Sequence, residues 1–431
     1  MGNVPSFGVS IARLVAALAL SPLAAVAGAA TLFVSCPLRL WRAIGLEQKR
    51  KILALLLMPV GAALSLPLGA LCGVVFALLW ALYGSGAPEN PFSLERAGKT
   101  RHEIPAIAEV EALELKAQHK DTLAFGALDF KTSEGDKELH CHTVKPHKRV
   151  APNDYHGVVI VQHGLHCHGG AARTLKVAAR FAEEGYAAYL PDLANHGRSS
   201  GSWAVVSSLE DLASDLAFLT REVSRLHPNL PVLLQGESLG GLLVLYAPQF
   251  MTTDTLDRLS GVVAVCPALR LAEDVEDPIL DQFIQLWPMD SLKKVFPKFP
   301  ATPGTQGTIF SEVPELRQAA QASIEADPLE YSGMVKMATG LTFLQSLLIE
   351  KTRKKLVAKI QTLKKPLLIL HGTSDKCVDV SCSRELFEGA QSRDKTLKEY
   401  EGKAHVLLSE DEETRERFLG DMTDWIKTHS L

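Results

Sequence analysis

A serine, an aspartate and a histidine occur along this sequence in settings that suit acyl transfer. Ser238 is the centre of Gly-Glu-Ser-Leu-Gly (236–240), which follows an apolar run and precedes a helix-forming run. This pattern predicts a strand, a tight turn and a helix, with the serine hydroxyl raised at the turn. Glycines two positions either side suit a turn that has no room for side chains. We expect Ser238 to be a nucleophile.

The acid and the base that a serine nucleophile requires follow later in the chain. Asp375 comes directly after an apolar run that ends in His371-Gly372, so it is expected at the carboxyl end of a buried strand. Asp379 is the rival acid, but its position predicts instead that it caps a helix starting near Ser381. His405 lies in a glycine-containing loop before a final amphipathic helix, predicted over 412–429. The order Ser238, Asp375, His405 therefore predicts a catalytic triad.

Backbone amides at two strand ends could stabilise an oxyanion. Leu239 follows the serine at the start of the predicted helix, and Leu165 follows His163-Gly164 at the end of another apolar run. We expect these two N–H groups to form the oxyanion hole. The alternative for this second segment is a metal site made of His163, His166 and His168, but their spacing matches no common ligand set. We expect no metal site and no organic cofactor.

The composition separates an apolar N-terminal region from an ordinary globular region. The 431-residue chain is 47% hydrophobic, its net charge is −4, and its seven cysteines follow no zinc-type spacing. The charge balance argues against nucleic-acid binding, and the cysteine pattern argues against a disulfide framework. Residues 14–38 and 52–88 contain no charged side chain and are long enough to enter or cross a bilayer. We expect residues 1–88 to anchor the protein to a membrane.

The topology of that anchor has several possible forms. The loop between the two stretches is basic, which favours a cytosolic position. Prolines interrupt both stretches, so each could enter the bilayer and return as a hairpin; the alternatives are a two-pass anchor and a cleaved signal sequence. The N-terminal sequence fits myristoylation of Gly2, and Cys36 is a possible palmitoylation site. We therefore expect a membrane-associated protein whose catalytic domain faces the cytosol, with membrane lipids or a lipid-droplet surface as its partner.

Beyond residue 88 the sequence predicts a linker over 89–120, including one helix after Pro105, and an α/β domain over 121–431. A β-hairpin is expected over 123–144, and Ser207 with Glu210 is expected to form a capping box. Strands then alternate with helices, the first predicted over about 171–184, which predicts a mainly parallel central sheet with helices on both faces. Functional residues of such sheets lie at the carboxyl ends of the strands.

About a hundred residues separate the strand predicted over 261–265 from the one predicted over 366–370, which is far more than a crossover needs. We expect an inserted helical cap over about 272–350. Its first part is apolar and includes four candidate substrate-binding residues, Phe283, Leu286, Trp287 and Met289. These side chains could pack on the core, line an acyl tunnel or contact a bilayer. The basic segment 351–365 could be a solvated helix face or contact anionic headgroups.

The combined motifs resemble a known family. The chain from about residue 120 onward resembles the monoacylglycerol lipase and serine-aminopeptidase-like branch of the α/β-hydrolases. The segments that carry the resemblance are His163-Gly164, Asp192 with 195–201, 236–241, 327–331, 371–375 and Ala404-His405. The segment Leu165-His166-Cys167-His168 departs from the family pattern, and the apolar N-terminus is absent from compact members.

This resemblance implies a membrane-associated serine hydrolase that cleaves monoacylglycerols, or related lysolipids and esters, through an acyl-enzyme. Alternatives that use the same triad are a lysophospholipase and a lipid acyltransferase. A non-catalytic membrane scaffold would be expected to lack a triad member, and all three are present. An aminopeptidase would need an acidic pocket for the substrate amine, for which Glu237 is a nearby candidate.

Overall fold

The computed structural model describes residues 110–132, 137–147, 150–272, 293–294, 297–298, 300–302 and 309–430. Both apolar N-terminal stretches, Gly2 and Cys36 lie outside these residues, as do Phe283, Leu286, Trp287 and Met289. Within the described ranges, no helix has both the length and the apolar character needed to span a bilayer. Except for Pro300–Thr302, all described residues belong to one compact unit.

An eight-stranded sheet forms the centre of this unit. Its strand order is β1-β2-β4-β3-β5-β6-β9-β10. Strand β2 pairs antiparallel with β1 and with β4, and every other neighbouring pair is parallel. The strands span Leu123–Lys131 (β1), Glu138–Pro146 (β2), Gly157–Gln162 (β3), Tyr186–Pro191 (β4), Val232–Glu237 (β5), Leu259–Val265 (β6), Leu367–Gly372 (β9) and Lys395–Tyr400 (β10). Two short strands, Pro300–Thr302 (β7) and Val335–Lys336 (β8), lie between β6 and β9 in sequence. The mainly parallel sheet predicted from the sequence is confirmed.

The central strands are buried along their whole length because helices cover both faces of the sheet. Every residue of β3, β4 and β9 is buried, which explains why these segments are continuous apolar runs without alternation. The helices span Val110–Gln118 (α1), Ala172–Glu183 (α2), Leu209–Leu226 (α3), Leu239–Tyr246 (α4), Thr253–Arg258 (α5), Pro314–Ala326 (α6), Met337–Phe343 (α7), Glu350–Gln361 (α8), Ser381–Gly389 (α9) and Glu412–His429 (α10).

Two hydrophobic clusters divide these helices between the faces. One cluster joins the sheet to α3, α4, α8 and α9. The other joins it to α1, α2 and α10. Helix α1 lies in the segment expected to be a linker, and its Ala112 and Leu115 are buried in the second cluster. The chain between β6 and β9 includes α6, α7, a π-helical turn over Leu344–Leu348 and α8.

Two of the local elements expected from the sequence are present as predicted, and one helix cap is not. Helix α10 has the predicted bounds, and the expected hairpin is present as β1 and β2. The expected capping box of Ser207 and Glu210 is wrong by one residue. Ser208 is the N-cap of α3, and its side chain accepts a hydrogen bond from the Asp211 N–H at 3.0 Å. Two adjacent serines give equivalent sequence signals, so only the helix start decides which one caps it.

Candidate active site

The serine turn is held by close backbone packing. Ser238 joins β5 to α4 with φ of 58° and ψ of −119°, which is a strained conformation for a residue with a side chain. A Cβ atom on Gly236 would lie 2.3 Å from the Gly240 carbonyl oxygen, and one on Gly240 would lie 2.2 Å from the Gln162 carbonyl oxygen. Both positions therefore require glycine. The Ser238 N–H donates a hydrogen bond to the Val265 carbonyl oxygen at 2.9 Å, which ties the turn to β6.

The predicted acid and base meet at the carboxyl ends of the strands. The Nδ1 atom of His405 lies 2.6 Å from Oδ2 of Asp375. The other carboxylate oxygen accepts hydrogen bonds from the N–H groups of Cys377 and Val378, at 2.8 and 2.9 Å. Asp375 follows β9 and Ser238 follows β5, and these parallel strands are separated only by β6. At about 4.8 Å between neighbouring strands, β5 and β9 lie about 10 Å apart, a spacing that an imidazole between the two strand ends can bridge.

Electrostatics favour an ionised acid and a basic imidazole. Burial by itself raises the pKa of Asp375, but the charge of His405 and hydrogen bonds from His371 and His405 hold it well below its ordinary value. Burial by itself lowers the pKa of His405, but the Asp375 carboxylate raises it above 6.5, with a smaller contribution from Glu237. An imidazole with these properties can accept a proton from a hydroxyl near neutral pH.

The sequence did not indicate that a second histidine supports the acid. His371, the fifth residue of β9, is fully buried, and its Nε2 lies 3.1 Å from Oδ2 of Asp375. Its Nδ1 lies 2.7 Å from the Ser383 hydroxyl. A signal was available in the sequence: a histidine in a buried strand needs a hydrogen-bond partner, and the acid four residues later could have been recognised as that partner. The rival acid, Asp379, accepts a hydrogen bond from the Ser381 N–H at 2.8 Å, at the start of α9.

The two residues expected to supply the oxyanion hole each follow one partner of a close contact between Gly164 and Ser238: Leu165 follows the glycine and Leu239 follows the serine. A Cβ atom on Gly164 would lie 3.1 Å from Cβ of Ser238, so the backbone before Leu165 passes directly beside the serine. Leu239 is the first residue of α4, and a first-turn N–H has no acceptor within its own helix. His163 fixes this loop, because its ring contacts the Gly164 carbonyl oxygen at 2.7 Å and accepts from the Leu193 N–H at 3.0 Å.

The histidines after β3 do not form the metal site that was weighed from their spacing. A different set, His142, His168 and Asp192, places its ligand atoms within 4.8 Å of one another. Both Asp192 oxygens accept backbone N–H groups at 2.6 Å. His168 contacts Asp327 at 2.8 Å through Nε2 and accepts from the Gly170 N–H through Nδ1. Both ring nitrogens of His168 are therefore engaged and leave it no lone pair for a metal, so we assign this set a structural role.

The departure from the family pattern at Cys167 belongs to a buried ion-pair cluster beside the serine. Arg173 lies 2.9 Å from Oε1 of Glu330, and the Cys167 thiol donates to the same oxygen at 3.3 Å. Glu237, which precedes the nucleophile, acts electrostatically on both Arg173 and His405. Burial raises the pKa of the Glu237 carboxyl group.

A cavity of about 210 Å³ lies beside the histidine loop. Its walls are partly apolar, through Phe310, Ala320 and Val406, and partly charged, through Arg173 and Arg415. Val406 adjoins His405 in sequence, so the cavity lies next to the candidate base.

Known proteins similar to this chain identify its family. Residues 153–412 match the family described as serine aminopeptidase, S33. A monoacylglycerol lipase of Mycolicibacterium smegmatis is 31% identical, over 64% of this chain and 90% of that protein. A caffeoylshikimate esterase of Arabidopsis thaliana is 29% identical, over 63% of this chain and 77% of that protein.

The fold also matches a solved structure. A soluble variant of the Saccharomyces cerevisiae monoglyceride lipase, in complex with a substrate analogue, is 19% identical with a TM-score of 0.55; the match covers 72% of this chain and 96% of that one. At this identity the likeness shows the α/β-hydrolase fold alone. The family match covers more than half of the chain, so this protein belongs to the serine aminopeptidase S33 family of α/β-hydrolases, in its monoacylglycerol lipase-like branch, and is a carboxylic ester hydrolase.

Proposed function

We propose that this protein hydrolyses monoacylglycerols or related lysolipid esters through an acyl-enzyme formed on Ser238. The observation that carries the proposal is the bond between His405 and Asp375, held at the same sheet edge as the strained serine turn. The names of the relatives supply the substrate class, since a relative that is 31% identical is a monoacylglycerol lipase.

The proposed mechanism has two steps. The neutral imidazole of His405 takes the Ser238 proton as the hydroxyl oxygen attacks the ester carbonyl. Asp375 holds the imidazole in the required tautomer and stabilises its protonated form. The N–H groups of Leu165 and Leu239 stabilise the oxyanion, and the protonated imidazole then gives its proton to the leaving alcohol. A water molecule activated by the same imidazole attacks the acyl-enzyme, which releases the fatty acid and restores Ser238.

The first test is substitution of the nucleophile. Ser238→Ala should lower hydrolysis of 2-monoacylglycerol by about four orders of magnitude or more, because no covalent intermediate can form. Ser207→Ala, at an exposed serine outside the site, is the matched control and should keep full activity. Turnover by Ser238→Ala at more than a tenth of the wild-type rate would exclude Ser238 as the nucleophile.

A second candidate function is acyl transfer to a lipid alcohol, since an acyl-enzyme can react with an alcohol in place of water. The Arabidopsis thaliana relative is named for a different ester, caffeoylshikimate, so the name of the monoacylglycerol lipase does not by itself fix what the acyl group of this protein's acyl-enzyme reacts with. Product analysis with and without added glycerolipid acceptor separates the two functions. Free fatty acid as the main product in both reactions supports the hydrolase.

We also propose that residues 1–88 anchor the catalytic domain, residues 121–431, to a membrane. Two uncharged stretches with a basic loop between them support this proposal. Membrane association is measured by fractionating cells that express either the full chain or a chain starting at residue 89. The full chain should be extracted from membranes only by detergent, and comparison with Gly2→Ala separates any lipidation from the apolar stretches. Equal release of both chains by high salt would contradict the anchor.

A further inference from the structure

A buried basic cluster lies next to the loop that passes the nucleophile. Lys336, the last residue of β8, is only 5% exposed. Its Nζ lies 5.0 Å from the centre of the Tyr331 ring, and in the described part of the chain no carboxylate lies within ion-pair distance of it. Burial and, to a smaller extent, the neighbouring cation Lys298 lower the pKa of Lys336. A buried ammonium group is costly without a counterion, and the described residues offer none, so this position favours an anion.

The Tyr331 ring joins this lysine to the loop after β3. The ring of His166 packs edge-on against Tyr331 with 4.8 Å between ring centres, and the Tyr331 N–H donates to the His166 carbonyl oxygen at 2.9 Å. Trp203 packs on the same tyrosine at 5.5 Å. His166 is two residues beyond Gly164, whose backbone contacts Ser238. The cluster therefore lies close to the reacting carbonyl.

His166 adds a second unused polar group. Its Nε2 is buried and has no hydrogen-bond partner in the described structure. Burial lowers its pKa to about 3, so the ring is neutral and Nε2 can carry a proton to donate. Its φ of 67° is a left-handed conformation that few non-glycine residues adopt. This strain at a loop beside the nucleophile is typical of a functional position.

We propose that Lys336 and His166 form a subsite for a phosphate group on the substrate, so that a glycerol-based lysophospholipid such as 1-oleoylglycerol 3-phosphate is a substrate of this enzyme. The proposal rests on the ester hydrolysis proposed above. An ammonium group with three donors and an imidazole N–H can satisfy several oxygens of one phosphate. The glycerol unit supplies the short spacer between the ester at Ser238 and this subsite.

The first experiment compares one anionic and one neutral ester in the same nonionic micelles. Lys336→Met should lower kcat/KM for 1-oleoylglycerol 3-phosphate at least tenfold, and change kcat/KM for 1-oleoylglycerol less than threefold. His166→Asn, which keeps a residue tolerant of positive φ, should act in the same direction. Lys336→Arg should restore part of the loss, since it returns the charge.

The matched control is Lys355→Met, at an exposed lysine of α8. It removes the same charge from the surface and should leave both rates unchanged. If Lys355→Met and Lys336→Met lowered hydrolysis of 1-oleoylglycerol 3-phosphate equally, the effect would come from attraction of anionic lipid to the protein surface, and the proposal would be overturned. Equal losses on both substrates in Lys336→Met would overturn it too, because a general folding defect acts on both. Activity on the neutral ester reports folding in each variant.

A binding experiment separates failure of the subsite from failure of the proposed function. Calorimetry with Ser238→Ala should detect binding of glycerol 3-phosphate, and Ser238→Ala combined with Lys336→Met should bind it at least tenfold more weakly. Glycerol alone and inorganic phosphate alone are the comparison ligands, and inorganic phosphate binding as tightly as glycerol 3-phosphate would contradict a substrate subsite. Binding in a protein that hydrolyses neither ester would instead reject the ester function. Equal binding of glycerol 3-phosphate by the single and the double variant would overturn the proposed subsite.

Discussion

Replacing Asp375 with asparagine isolates the role of the acid. The change keeps the acceptor Oδ1, which holds the N–H groups of Cys377 and Val378. It places an amide NH₂ where Oδ2 now accepts at 2.6 Å from His405 and 3.1 Å from His371. With an amide donor facing Nδ1, His405 must carry its proton on Nε2 instead. Nε2 is the nitrogen that would take the serine proton, so this tautomer cannot act as the base.

The expected loss in kcat is about 10⁴-fold, the size that this substitution has in serine proteases. At 1.36 kcal/mol per tenfold, this is about 5 kcal/mol of lost transition-state stabilisation. KM should change little, because the acid does not contact substrate. The assay is fatty-acid release from 2-monoacylglycerol over a range of substrate concentrations and pH, with circular dichroism to confirm folding.

The matched control is Asp379→Asn, because Asp379 was the rival acid in the sequence. Among the described residues, its carboxylate accepts a hydrogen bond only from the Ser381 N–H at the start of α9, a type of contact worth about 1 kcal/mol of stability. Asparagine keeps an acceptor there, so activity should stay within threefold of wild type. A larger loss in Asp379→Asn than in Asp375→Asn would refute the assignment. Activity of Asp375→Asn within tenfold of wild type would refute the proposed role of the carboxylate.

Two further predictions concern packing and pH. Gly240→Ala should destabilise the protein by about 1 to 3 kcal/mol, because the new Cβ would lie 2.2 Å from the Gln162 carbonyl oxygen. Gly420→Ala is the control, at a helical glycine where the new Cβ meets nothing within 4 Å. It should stabilise the protein by about 0.5 to 1 kcal/mol. Thermal unfolding measures both, and equal shifts would contradict the packing argument. The raised pKa of His405 means that its base form is lost as pH falls through a value above 6.5, so kcat/KM should reach its plateau only above that pH and decline below it. In Asp375→Asn the residual activity should decline at lower pH than in wild type, and an unchanged or higher midpoint would contradict the assignment.

Much of the fold could be predicted because the sequence carries strong local signals. The buried runs of β3 and β9 read as strands, and the bounds of α10 followed from its amphipathic pattern and acidic start. The tight glycine contacts at Gly236 and Gly240 explain why the serine motif was readable, since only glycine fits there. The cap of α3 was misplaced because Ser207 and Ser208 are chemically equivalent until the helix start is known.

Parts of the candidate site could not be read from the sequence because their partners are far apart in the chain. Cys167 and Glu330 are separated by 163 residues, and nothing near either residue predicts their contact. The same is true of the ring contacts that join His166, Tyr331 and Lys336. Sequence spacing led us to group His163, His166 and His168, whereas in the fold these rings make separate contacts.

The sequence by itself determined which residues could do chemistry and in what order, because a tight turn, a buried strand and a capped helix each impose residue types over a few positions. It placed Ser238 and Asp375 at strand ends and His405 in a loop before the last helix, without fixing any distance between them. The tertiary structure decided that the acid contacts both His405 and His371. It also decided that Lys336, which has no counterion among the described residues, lies over the Tyr331 ring beside the nucleophile loop. Those contacts depend on how the sheet brings distant segments together, which local patterns do not encode.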